Sequence, residues 1–181
     1  MKRITWFPQV WLGMTFNWAV LVAYAAKTGT VSLPLFILYA GLIFWTVGYD
    51  TIYACQDIED DAMVGIKSTA RKFGGQIRSA VAFCYMFFIG FGIHATSKAL
   101  ELHFPFQGAG WIMKNIFALA IWSPTIVFSI LIVGKFKPTD PSRSLKLFKS
   151  NWLAAAFLIF CMMVFSYRFE DIWRYVVLTQ P

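Results

Sequence analysis

Across 181 residues the chain is 59% hydrophobic and only 14% charged, with a mean hydropathy of +0.61, a balance too apolar for an ordinary soluble domain. Its formal net charge of +7 needs no nucleic acid to account for it, because charge bias across a bilayer and attraction to anionic lipid are sufficient causes. Membrane lipid is the expected solvent.

Charged side chains are absent from long stretches and collect between them. Residues 4–26 and 28–49 carry none, residues 79–97 hold only His94 as a titratable group other than cysteine and tyrosine, and 115–134 and 151–167 again carry none. A membrane helix needs roughly 20 apolar residues, so the spacing predicts an all-α integral membrane protein with about five transmembrane helices in one domain covering residues 1–181. The last span is the shortest. A competing reading of the start is a signal peptide, with Lys2 and Arg3 followed by an apolar run and the small-residue site Ala23-Tyr24-Ala25. Trp11, Asn17 and Trp18 sit awkwardly in a cleavable core. The run is also long enough to span.

With the N-terminus inside, eleven of the 16 lysines and arginines fall on inner segments. Positive residues favour the cytoplasmic side, which places the N-terminus and the stretch after residue 49 there, most naturally at the cytoplasmic membrane of a bacterium. Trp6, Trp111, Trp152 and Trp173 fall near predicted span ends, where an indole suits the headgroup region. Cys55, Cys84 and Cys161 are scattered and lack the spacing of a metal knuckle. There is no glycine-rich phosphate loop and no serine–histidine–aspartate arrangement. The segment holding Phe104-Pro105-Phe106 and Gly108-Ala109-Gly110 reads as an outer interfacial loop.

The chemistry is concentrated in residues 49–74, where Asp57, Glu59, Asp60 and Asp61 crowd together before Lys67, Arg71 and Lys72. On one helix, Asp57 and Asp61 stack one turn apart on the same face. Like charges at that spacing repel, and a divalent cation would remove the penalty. Oxygen-only ligands suit Mg²⁺, which often completes its shell with phosphate oxygens. Asp50 is seven residues before Asp57, so a continuous helix carries a polar stripe from inside the membrane to the cluster. The plain alternative is a solvated loop whose acids pair with Lys67, Arg71 and Lys72. Against it, Tyr49, Asp50 and Tyr53 lie within or at the end of a span, and an ionisable group at that depth marks a functional site.

Tyr49-Asp50, Tyr53-Ala54, Asp57 with Asp60 and Asp61, Gly65-Ile66-Lys67-Ser68-Thr69-Ala70 and Phe73-Gly74 together resemble the second aspartate-rich motif of the UbiA-type intramembrane prenyltransferases, those acting on 4-hydroxybenzoate above all. Weaker similarity runs through Trp6, Pro8-Gln9, Gly13, Phe16-Asn17-Trp18 and Lys149-Ser150-Asn151. The resemblance implies a nine-helix bundle with two facing aspartate-rich motifs that bind Mg²⁺ and, through it, the diphosphate of a polyprenyl donor. Asp57 and Asp61 match its metal-binding, catalytic positions. By the same likeness Lys67 contacts the diphosphate or caps the pocket, Asp60 is a further substrate-binding position, and Tyr49, Asp50 and Tyr53 line the path of a 4-hydroxybenzoate acceptor in ubiquinone synthesis.

The family's first aspartate-rich motif has no counterpart, since outside the cluster the acids are Asp50, Glu101, Asp140, Glu170 and Asp171. The expectation is that the 181 residues correspond to the C-terminal part of the bundle, with four helices lacking, and that the chain is inactive without a partner half. Two rival readings stand beside it. One is a non-enzymatic membrane transporter or assembly subunit that uses the acids for cation binding. The other is a related enzyme with a menaquinone, haem or chlorophyll-pathway acceptor.

Overall fold

A computed structural model describes residues 3–103 and 110–178. In chain order the helices are α1 (Pro8–Thr28), α2 (Leu33–Ala54), the short α3 (Ile58–Met63) and α4 (Thr69–Phe73), then α5 (Ile77–His103), α6 (Gly110–Lys135) and α7 (Pro141–Leu178), with a 3₁₀ turn at Gly74–Gln76 before α5. No strand occurs among the described residues. The outer loop expected around 104–109 lies outside the described residues, as do the side chains of Arg168, Glu170, Asp171, Trp173 and Arg174.

Among the described residues five long helices fall where five spans were expected, but four are long and apolar enough to cross a membrane: Leu33–Ala54, Thr69–Glu101, Trp111–Lys135 and Pro141–Val164. The exception is α1, which carries Gln9 and Asn17 on its buried side. The Asn17 side-chain amide reaches the Gly13 carbonyl at 2.7 Å, the Leu42 carbonyl at 3.2 Å and Thr46 Oγ1 at 2.9 Å. Polarity that lowers the apolar content of α1 therefore fastens it to α2, and the Tyr39 hydroxyl adds a bond to the Met14 carbonyl at 2.7 Å.

Lipid tails are as apolar as leucine, so helices in a bilayer associate by close packing and interhelical hydrogen bonds. The central pair, α2 with α5, follows that rule. Gly41 and Gly48 on α2 lie directly against Phe91 and Cys84 of α5, with room for no larger side chain unless a neighbour gives way. Across α5, Trp122 of α6 is fully buried and stacks edge-on to Phe88 at 5.1 Å. Arg78 at the start of α5 donates to the Val133 and Gly134 carbonyls at 3.0 and 3.2 Å, placing a cation at the C-terminal end of α6 where helix dipole and orphan carbonyls favour one. Outward faces stay apolar, and only 17% of the last span is covered by other helices.

The last helix begins ten residues before the expected span. Asp140 accepts a hydrogen bond from the Arg143 amide at 2.9 Å through Oδ1 and Pro141 takes the first helical position, the pairing of cap and proline that starts a helix. Arg143, Lys146 and Lys149, expected on an inner segment between spans, thus ride on the first turns of α7, while Leu147 and Phe148 pack toward the core.

Pro124 stands inside α6 and has no N–H to give the Ala120 carbonyl. Ser123 Oγ donates to that carbonyl at 2.8 Å, the kind of repair that lets proline persist in membrane helices. Ser123→Ala should therefore destabilise the chain by about 1 kcal/mol, read as a lower detergent-unfolding midpoint. Placing alanine at Ser150, whose hydroxyl bonds a helix carbonyl with no proline beside it, should cost less.

Candidate functional site

The acidic segment is not a continuation of α2. The ladder tightens at its end, with Cys55, Gln56 and Asp57 amides each bonding three residues back, at 3.3, 3.0 and 3.4 Å. A new helix then starts with Asp57 at its N-cap position and Glu59, Asp60 and Asp61 in its first turn. The expected seven-residue stripe from Asp50 to Asp57 on one unbroken helix is corrected accordingly. Helix electrostatics give the reason: at the end of a lengthened α2 these acids would meet the negative pole, whereas at the start of α3 they meet the positive one.

Asp57 and Asp61 nevertheless keep one-turn spacing, because the Asp61 amide donates to the Asp57 carbonyl at 2.7 Å. Asp57 is exposed and its carboxylate makes no cap hydrogen bond. Asp61 is 7% exposed. Its carbonyl accepts from the Ile66 amide at 2.8 Å and from Arg71 Nη1 at 3.1 Å, so its backbone is fixed from both directions.

The connection to α4 turns at Gly65, whose φ of +73° suits glycine. Ser68 caps α4 by accepting from the Arg71 amide at 3.4 Å, and Arg71 Nη1 also donates to the Ile66 carbonyl. Thr51 Oγ1 gives its proton to the Val47 carbonyl at 2.6 Å, so across the 2.6 Å contact between the two hydroxyls Thr69 is the donor. That buried bond docks the Lys67-Ser68-Thr69 segment on α2.

Tyr49, Asp50 and Tyr53 remain on α2. Tyr49 packs edge-on against Trp45 at 5.4 Å and lies 5.8 Å from Phe148; Tyr53 lies 4.7 Å from the same Phe148 and is 39% exposed. Asp50 is half-buried beside them in sequence. Asp60 is exposed on α3. Lys67 donates to the Ile4 carbonyl at 3.3 Å and lies 5.9 Å from the Trp6 ring. Among the described residues no salt bridge joins the cluster to Lys67, Arg71 or Lys72; the ion pairs present link Glu101 to Lys98 and Lys114. The paired-loop alternative therefore loses its pairing. The same residues hold no group of three or more histidine, cysteine, aspartate or glutamate side chains placed to bind a metal. The three cysteines are free, and burial pushes the Cys55 thiol up to about 12.

A cavity of about 550 Å³ opens beside α3, lined by Ile58, Arg71, Gly74, Gly75, Pro138 and Thr139 among others, but not by Asp57 or Asp61. Deeper in the bundle is a polar node that sequence reasoning missed. The Tyr85 hydroxyl and Trp45 Nε1 both donate to Asn151 Oδ1, the second at 3.4 Å, and Asn151 Nδ2 donates to the Leu147 carbonyl at 2.9 Å. It holds α2, α5 and α7 together behind Tyr49 and Phe148. An asparagine heading an otherwise apolar run was the available signal.

Comparison with known proteins bears on the cluster. The family model described as "UbiA prenyltransferase family" matches residues 1–157. The chain is 42% identical over 134 residues to a mitochondrial 4-hydroxybenzoate polyprenyltransferase of Aedes aegypti, covering 69% of this chain and 30% of that protein. It is 32% identical over 177 residues to a 4-hydroxybenzoate octaprenyltransferase of Pseudomonas putida (strain GB-1), covering 94% and 53%. Against the UbiA prenyltransferase claS of Ampulloclitocybe clavipes it is 48% identical over 82 residues, 45% of this chain and 26% of the relative. The chain thus spans about half or less of the length of these curated relatives, and no solved structure matches it. With a family match over most of its length and an acidic turn at the end of a membrane helix, the chain belongs to the UbiA prenyltransferase family.

Proposed function

We propose that the chain supplies one aspartate-rich jaw of an enzyme that transfers a polyprenyl group from polyprenyl diphosphate to 4-hydroxybenzoate, as the names of its relatives suggest. The observation that carries this reading is the Asp57–Asp61 turn, one carboxylate exposed and uncommitted to capping, the other on a backbone fixed by Arg71 and Ile66.

The donor set is carboxylate oxygen alone, which fits Mg²⁺ when one or two carboxylates share the ion with substrate phosphate and water. Asp57 and Asp61 would hold it. Bound there, the ion supplies charge neutralisation for a departing diphosphate. The rest falls to the chain. As the allylic C–O bond breaks, diphosphate leaves; the ring carbon ortho to the hydroxyl forms the new C–C bond and then loses its proton. Tyr49, Tyr53 and Phe148, with Trp45 behind them, offer aromatic faces that steady a developing carbocation and exclude the water that would quench it. Asp50 on α2 and Asp60 on α3 are the further substrate-binding positions of this reading, whereas Lys67, seated against Ile4 and Trp6, takes no part in it. The acidic side is taken as the inner face of the membrane, with the N-terminus on that side.

Two carboxylates do not enclose a diphosphate with its metal ions, so a second acidic segment is required. Membranes holding this chain alone, given polyprenyl diphosphate, 4-hydroxybenzoate and Mg²⁺, should yield no prenylated product. Co-expression with the N-terminal portion of a curated relative should restore turnover. Product from this chain alone would refute the two-jaw requirement, and an active pair indifferent to chelation of Mg²⁺ would refute the metal assignment.

A further inference from the structure

We propose that the chain carries a binding site for one anionic phospholipid, on the face of α2 opposite the aromatic path. The site does not rest on the prenyltransferase reading. A groove of about 560 Å³ runs between α1, α2 and α5, within the ~300–1,000 Å³ of ligand pockets generally. Phe7, Phe44, Val47, Phe73, Ala80 and Phe83 make most of its wall. On α2 its lining residues are Ile43, Phe44 and Val47, whereas Tyr49 and Tyr53 turn to Phe148 of α7.

At one end of the groove Phe7 meets Phe73 edge-on at 6.1 Å. Beside Phe7 is Trp6, and around its ring gather three cations: Lys67 Nζ at 5.9 Å, the Arg71 guanidinium carbon at 5.6 Å and Lys72 Nζ at 5.8 Å from the centroid. None of them is in salt-bridge contact with an acidic side chain among the described residues. Three like charges around one ring repel each other, and a bound anion relieves that repulsion. The ligand must therefore be a hydrocarbon chain ending in a negative group, at the depth where tryptophan and basic residues meet headgroups. For a helix bundle in lipid, that ligand is the surrounding anionic phospholipid: an acyl chain in the groove, the phosphate among Lys67, Arg71 and Lys72.

The test uses the full chain purified in detergent, with dioleoyl phosphatidylglycerol, dioleoyl phosphatidylcholine and sodium pyrophosphate as probes, read by native mass spectrometry and by thermal unfolding. Phosphatidylglycerol should give a single-lipid adduct and raise the unfolding temperature; phosphatidylcholine should do neither, and pyrophosphate should not displace the lipid. Lys72→Gln, at an exposed position, should weaken phosphatidylglycerol binding about fivefold, the share of one cation near an anionic lipid. Ala80→Trp should fill the groove and remove the adduct. Equal retention of the two lipids, displacement by pyrophosphate, unchanged affinity in Lys72→Gln, or a second copy of the chain in place of lipid would each overturn the proposal. If Ala80→Trp fails to fold, the Lys72→Gln titration decides alone.

Discussion

Asp57→Asn should reduce prenyl transfer by at least about a hundredfold when this chain is assayed together with a second aspartate-rich segment, the range seen when one preorganised electrostatic contact to a transition state is lost. The substitution is clean because Asp57 is exposed and makes no cap hydrogen bond, so the fold should change by no more than about 0.5 kcal/mol. Asp61→Asn should be as damaging to turnover. It is nearly isosteric at a buried site, and the backbone bonds from Ile66 and Arg71 to the Asp61 carbonyl do not depend on the side chain. A loss of metal affinity predicts that the Mg²⁺ concentration for half-maximal rate rises in both variants. Glu59→Gln, exposed on the same short helix but outside the one-turn pair, serves as the control and should stay within about twofold, because it removes a charge of the same sign without touching the proposed ligand pair. Equal effects of Glu59→Gln and Asp57→Asn would mean that the cluster acts only through bulk negative charge, and the two-ligand assignment would fall.

Charge gaps located the five long helices because a membrane imposes one simple condition, a run of apolar residues long enough to cross. They misplaced the start of α7 because that condition ignores capping; Asp140-Pro141 begins the helix in water, where Arg143 and Lys146 cost nothing to solvate. They also took residues 50–61 as one helix. No glycine or proline marks the break after Ala54, which follows instead from where four acids sit relative to the helix dipole. The one-turn relation of Asp57 to Asp61 was legible because it is local. What Lys67 touches was not, since its neighbours Ile4 and Trp6 lie some sixty residues away along the chain. Nor could sequence alone join Trp45, Tyr85 and Asn151. Pairings of that range depend on how helices cross, and the crossing is set by small residues such as Gly41 and Gly48 whose partners sequence does not name.

Gly92→Ala should be the most destabilising single methyl that can be added to the described bundle. A Cβ at this position would lie inside the indole of Trp122, and that ring has nowhere to go: it is fully buried, its Nε1 donates to Thr96 Oγ1 at 3.0 Å, and it is held in a T-shaped contact with Phe88. Small-to-large changes in packed cores cost about 1–3 kcal/mol and occasionally more. Here moving the indole also strands its N–H in an apolar setting, adding roughly 1–3 kcal/mol. The damage should travel, because Phe88 stacks on Trp45 at 5.3 Å and Trp45 in turn supports Tyr49 and reaches Asn151. Unfolding in detergent with intrinsic fluorescence as the probe reads both effects, a lowered midpoint and a changed emission from the displaced tryptophan. The pairwise nature of the clash gives the decisive control. Trp122→Leu alone should be destabilising through its cavity, yet Gly92→Ala added to it should cost little, so the double-mutant cycle should show strong coupling between positions 92 and 122. Additive effects would mean that α5 and α6 do not cross at this point, and the aromatic column from Trp122 to Tyr49 would lose its foundation.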